Sequence, residues 1–176
     1  LQPGESAEVI ATFDDPGEVL IGCHIPGHWE AGMRGAIVVM DADLALGTKE
    51  APRDIAITMT DTLRFDPGTI AVHEGETIRF LLENPTVAPH DFTLGDMDAQ
   101  MHHHEEMSAG MGHGHGSEGT DGMPGAVSLQ PGESAEVIAT FDEPGEVLIG
   151  CHIPGHWEAG MRGALLVMPG GEPGNA

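Results

Sequence analysis

Basic residues, aromatic residues and long apolar runs are all scarce in this 176-residue chain. Six lysines and arginines face 29 aspartates and glutamates, giving a formal charge of −23. That balance excludes nucleic acid as a partner, because the phosphates would be repelled. It permits a basic protein partner, cations or a saline habitat, and it serves solubility in any case. No run of about 18 apolar residues occurs, so no helix here spans a membrane. Tyrosine is missing and aromatics make up 4% of the chain. No signal peptide is visible. The chain begins at Leu1, inside a pattern whose other copy begins at Leu129, so an export signal is expected further upstream.

What is abundant is turn chemistry. With 26 glycines and 13 prolines, the composition suits a turn-rich β protein better than a helical one. Residues 1–40 and 129–168 align without gaps and differ only at Asp15/Glu143, Ile37/Leu165 and Val38/Leu166. This suggests a tandem repeat about one domain long. On this reading 1–40 is the C-terminal half of a preceding repeat, 41–53 is a linker, 54–168 is a complete domain and 169–176 is a flexible tail.

Within the complete unit, "RDIAITMT" (53–60) alternates, with Ile55, Ile57 and Met59 on one face. "GTIAVHEGETIRFLLEN" (68–84) reads as two strands around a Glu-Gly turn. "HDFTLG" (90–95), "SAEVIATF" (134–141), "GEVLIGC" (145–151) and "GALLVM" (163–168) complete about seven short strands. The expectation is an all-β antiparallel sandwich with no helix and an extra half-domain at the N-terminus. The stretch 97–125 shows no packing periodicity and reads as a mobile loop.

The chemistry concentrates in "GCHIPGHWEAGM", found at 22–33 and again at 150–161. In the second copy Cys151, His156 and Met161 follow a C-x4-H-x4-M spacing. Gly and Pro bend the stretch, and a bent loop can turn three side chains to one point. Thiolate, imidazole and thioether together fit copper, and one further histidine would give a trigonal His₂Cys site with a weak axial Met. His90, in "NPTVAPHDFTLG", is placed by order to supply it. The competing readings are a buried structural thiol with incidental histidines, and a Cys23–Cys151 disulfide. Each Cys has its own ligand set, which counts against the disulfide in a copper-loaded protein.

"VAPHDFTLG" followed by "GCHIPGHWEAGMRGALLV" resembles the cupredoxins, the blue copper proteins of the plastocyanin/azurin type. The loop spacing is most similar to rusticyanin-type proteins. The resemblance covers about 54–168 and implies a Greek-key β-sandwich. It implies type 1 copper, cycling between Cu(I) and Cu(II), held by His90, Cys151, His156 and Met161. It also implies a periplasmic or extracellular setting. The long insert at 97–125 departs from simple electron carriers. In multicopper oxidases histidines on both sides of the Cys reach a second copper centre, and a nitrite reductase has a His before it. Here Gly22 and Gly150 precede Cys23 and Cys151, which counts against an enzyme. His152 is expected to be partly exposed near the copper, and His73 to be solvated.

Cys23, His28 and Met33 repeat the loop, but the matching histidine would fall before Leu1, so this second site is incomplete. Apolar residues such as Val9, Val19, Ile21, Ile37 and Val39 are expected to be exposed. Two near-identical halves could pair with 54–95. The expectation is that 129–168 does so, the alternatives being a permuted pairing or exchange between chains.

In the insert, Met97, Met101, Met107, Met111 and Met123 alternate with His102, His103, His104, His113 and His115, and with Glu105, Glu106 and Asp121. Thioethers favour Cu(I) and imidazoles accept either state, so this stretch is a candidate weak copper loop without fixed geometry. The functional readings are an extracytoplasmic one-electron carrier with a redox partner protein such as a basic c-type cytochrome, and a periplasmic copper tolerance or delivery protein with a copper acceptor. A fragment of a multicopper oxidase or nitrite reductase ranks last.

Overall fold

The computed structural model describes all residues except 1, 3, 14, 30, 40–44, 110–125 and 170–176. The chain divides into two units, Leu1–Leu44 and Ala45–Ala176. In the first unit, β1 (Gly17–Gly22) and β2 (Arg34–Val39) form an antiparallel hairpin, with Gly22 opposite Arg34. Residues 6–13 form no strand, and Val9 and Ile10 are each 87% exposed. Val19, Ile21 and Ile37 are exposed as expected, while Val39 is partly buried.

The second unit is a β-sandwich. One sheet runs β4 (Arg64–Asp66), β3 (Arg53–Thr60), β6 (Glu76–Glu83), β9 (Ser134–Phe141). The other runs β5 (Thr69–His73), β11 (Arg162–Met168), β10 (Gly145–Gly150), β7 (His90–Gly95), β8 (Val127–Leu129). The short strands β4 and β8 were not foreseen. Residues 129–168 supply β9, β10 and β11, so it is this copy that pairs with 54–95: β9 lies antiparallel to β6, and β10 antiparallel to β7.

Period-two alternation buries Ile57 and Met59 of β3, Ile78, Phe80 and Leu82 of β6, and Val137 and Phe141 of β9 against Ile149, Leu165 and Val167. Phe80 is the hub of the aromatic packing, with ring centroids 5.6 Å from Phe92 and 6.3 Å from Phe141. Fully burying side chains of this size contributes roughly 1.5–3 kcal/mol each. Near one end of the core, the buried carboxylate of Glu76 accepts from Arg53, from the His73 N–H at 2.9 Å and from the Gly47 N–H at 3.2 Å.

The insert departs from the sequence reading. Residues Met97–Ser108, expected to be a loop in a helix-free chain, form helix α1. Asp96 caps it, its Oδ1 accepting the Ala99 N–H at 2.8 Å, and Asp98 stands in the first turn where the helix dipole favours an anion. The helix escaped a hydrophobic-periodicity search because its inward face is mostly polar. Of its residues only Gln100 and Met107 are buried, seven apart on one face.

Candidate metal centre

Strand pairing builds the site. Gly150, the last residue of β10, lies opposite Thr93 of β7 on one side and Arg162 of β11 on the other. The chain leaving β10 therefore runs back past His90 and Asp91. The loop 151–161 then closes on itself. The His156 N–H donates to Ile153 O at 2.9 Å, the Met161 N–H to His156 O at 2.9 Å, and the Cys151 N–H to Met161 O at 3.1 Å. Arg64 pins the outside of the loop by donating to Ala159 O at 3.0 Å.

Three donors converge. Cys151 Sγ lies 3.4 Å from His156 Nδ1 and 3.9 Å from His90 Nδ1. The donor atoms of His90, Cys151 and His156 all fall within 4.8 Å of one another. His90, Cys151 and Met161 are each fully buried, and the last two belong to the hydrophobic core cluster. A thiol, two imidazoles and a thioether in a dry apolar shell fit copper. Burial, followed by the nearby Asp91 charge, pushes the Cys151 thiol well above its usual range. Burial holds both His90 and His156 below the usual imidazole value, and proximity to His156 adds to the effect at His90. Without metal these three groups are therefore neutral, and a cation binding here displaces the thiol proton.

The surroundings orient the donors. Asn84 spends its amide hydrogens on Ala88 O at 2.9 Å and Leu129 O at 3.1 Å. Its carbonyl accordingly accepts the Thr86 hydroxyl at 2.7 Å. Thr86 Oγ1 is left to accept from His90 Nε2 at 3.0 Å. The His90 proton is thereby placed on Nε2 and the Nδ1 lone pair faces Cys151. Asp91 is the other organiser. Its N–H donates to Cys151 Sγ at 3.4 Å, and its carboxylate accepts from the His152 N–H and from His103 Nε2, the latter at 2.9 Å. The bond to Asp91 raises His103 above the usual imidazole range against the opposing effect of burial.

Sequence reading passed over Asp91, Thr86 and Asn84. Signals existed: Asp91 follows His90 directly, and Asn84-Pro85 opens a turn toward it. Nothing in the sequence marks Gln100.

His152 corrects a further expectation. It is buried at 1% exposure rather than partly exposed, stacked on Trp157 at 4.7 Å between centroids. Burial presses its pKa down to about 4. Among the insert residues, His103 and His104 face His152, Met107 is buried, and Met97 and His102 are exposed. Met101 is partly buried. Met111, His113, His115, Asp121 and Met123 lie outside the described residues. His73 is partly buried at the end of β5.

The first copy of the loop has the same local geometry, with Cys23 Sγ 3.4 Å from His28 Nδ1 and the Cys23 N–H on Met33 O at 2.9 Å. Met33 is 59% exposed there, however. Cys23 and Cys151 are both free cysteines.

Comparison with known proteins also points to copper. Residues 53–168 match the family described as copper binding proteins, plastocyanin/azurin family. A copper-resistant cuproprotein CopI of Rubrivivax gelatinosus is 37% identical over 145 residues, covering 80% of this chain and 84% of the relative. A CopI of Pseudomonas aeruginosa is 35% identical, covering 68% and 78%. Among solved structures, a reduced auracyanin from Roseiflexus castenholzii aligns with a TM-score of 0.56 at 26% identity, over 68% of this chain and 99% of that one.

Proposed function

This chain belongs to the plastocyanin/azurin family of copper-binding proteins, and from that premise we propose that it serves copper tolerance outside the cytoplasm, holding one copper ion at His90, Cys151, His156 and Met161. The observation that carries the reading is the buried convergence of Cys151 Sγ with the Nδ1 atoms of His90 and His156. It is a copper-binding protein, and neither the family nor these similar proteins are described as enzymes.

Copper in such a set supplies one-electron chemistry between Cu(I) and Cu(II). The chain's own residues do the rest. The strand-to-loop hairpin holds Cys151 and His156 in place before metal arrives. The relay from Asn84 through Thr86 presents the His90 lone pair. The apolar shell keeps water out, and Met161 closes the base of the loop. A site held this rigidly would accommodate copper in either oxidation state with little rearrangement of His90, Cys151, His156 and Met161.

The second reading is an electron carrier for a soluble redox partner. The charge of −23 favours it, since an acidic surface steers a basic protein such as a c-type cytochrome in a salt-dependent way. For copper tolerance the partner is instead a copper acceptor. No helix among the described residues is long and apolar enough to cross a membrane. Residues 1–40 are read as a second copy of the ligand-bearing half, with Cys23, His28 and Met33 repeating the loop.

The test is Cu(II) titration of the reduced apoprotein while following the intense thiolate-to-copper absorption. One equivalent should saturate the band, and Cys151→Ser should abolish it. Restoring the Cys151→Ser chain to a copper-sensitive host should fail to rescue growth on copper, where the wild-type chain succeeds. A band that survives in Cys151→Ser would move the centre to Cys23, and full rescue by that variant would reject tolerance through this site.

A further inference from the structure

Gln100, His104 and His152 form a second constellation that the first site does not use. Gln100 is buried in α1 and donates its two amide hydrogens to Thr93 O at 3.1 Å and Leu148 O at 3.0 Å. Its carbonyl Oε1 therefore has to accept, and it lies 2.7 Å from His152 Nε2. That fixes the proton of neutral His152 on Nε2 and leaves a bare lone pair on Nδ1. This lone pair points at another imidazole nitrogen, His104 Nδ1, 3.4 Å away. On the far side of His104, Nε2 faces Glu158 Oε1 at 3.6 Å, so the carboxylate draws a proton to that nitrogen and leaves Nδ1 as the ligating one.

We propose that His104 and His152 form a second metal site, separate from the Cys151 centre, that takes a borderline divalent cation, Cu(II) in this copper protein. Imidazole nitrogens bind such ions at about 2.0–2.1 Å. Two bonds of that length spanning the observed 3.4 Å meet at roughly 108–116°. That is near the tetrahedral angle. His152 is buried and supplies the fixed ligand. His104 keeps 28% of its side chain exposed beside Glu158, so the cation enters from the helix side and the remaining positions face solvent. His103 is not a ligand here, because Asp91 and Glu106 engage its two nitrogens. The residue before Cys151 is constrained by the same cluster. A Cβ on Gly150 would lie 2.2 Å from Gln100 Oε1 and 2.9 Å from His152 Nε2.

The inference takes only the identity of the metal from the proposed function, and the two are tested separately. The full-length chain is first given one equivalent of Cu(II) until the thiolate band saturates, and then a second. The second equivalent should bind without adding thiolate absorption, with an electron paramagnetic resonance spectrum split by two imidazole nitrogens. His104→Ala should weaken this second event at least about 100-fold while the thiolate band shows the fold intact. His73→Ala, on β5 and outside the insert, should leave it unchanged. A second copper that binds His104→Ala with unchanged affinity overturns the site, as does equal weakening by His73→Ala. Failure of the thiolate band alone would count against the Cys151 centre instead.

Discussion

The hydroxyl oxygen of Thr86 lies 3.0 Å from Nε2 of His90, on the side of the ring opposite Cys151. The hydroxyl hydrogen goes to Asn84 Oδ1 at 2.7 Å or Ala88 O at 3.1 Å, so Thr86 accepts from His90 Nε2 and Nδ1 is left facing Cys151. Replacing Thr86 with Val keeps the shape and removes the acceptor. Loss of such an orienting partner costs about 10–100-fold in metal affinity. Competition with a chelator should show that loss in Thr86→Val, with the thiolate band retained at saturating copper.

Met161 supplies a thioether from a fully buried position. Met→Leu is close to volume-conserving and should cost less than about 1.5 kcal/mol of stability. Copper binding should survive Met161→Leu. If the thioether favours Cu(II) over Cu(I) by tenfold, its removal raises the potential by about 60 mV. Voltammetry of the copper-loaded variant measures this directly, and a lowered potential would contradict the assigned role.

Glu76 ties Arg53 and two backbone N–H groups to the start of β6. Burial alone would raise its pKa, but the Arg53 bond and the N–H groups of His73 and Gly47 outweigh burial and hold it below the usual value. A depressed carboxyl stabilises the fold above its unfolded pKa and loses that contribution as pH falls through the folded value. Arg53→Ala, which strands the buried carboxylate, should cost about 3 kcal/mol near neutral pH. The gap from wild type should begin to narrow once pH falls below the unfolded Glu value of about 4.3 and go on narrowing as pH falls further. Denaturant melts at pH 7 and pH 3.5 would show it.

Gly150→Ala should be costly in spite of its small size. The new methyl would lie 2.7 Å from Trp157 as well as meeting Gln100 Oε1. Overpacking of this kind costs about 1–3 kcal/mol. Thermal unfolding should report the loss. Nitrogen-15 spectra of the imidazoles should show His152 no longer held with its proton on Nε2.

Much of the site was legible because it is written locally. The C-x4-H-x4-M loop has the same Cys–His spacing of 3.4 Å at 23–28 as at 151–156, so its bend follows from its own Gly, Pro and hairpin bonds. His90 was reachable by order along the chain. The alternation in β3, β5 and β6 was equally plain. The helix α1 was not legible, since a polar inward face carries no hydrophobic period.

The Cys-x4-His-x4-Met loop and the β character follow from the sequence alone, because each rests on contacts between near neighbours, and the repeat is read directly from it. Only the tertiary structure decided which copy completes a domain. "SAEVIATF" occurs at 6–13 and at 134–141. It is a strand only in the second place, where β6 supplies its hydrogen-bonding partner. "GEVLIG" occurs at 17–22 and 145–150 and is a strand in both, because each copy carries its own hairpin partner. The burial of His152, its bond to Gln100 and the reach of Asp91 from Cys151 to His103 likewise join residues far apart in the chain. A strand edge or a buried imidazole needs a partner, and the chain's long-range folding decides which one it meets.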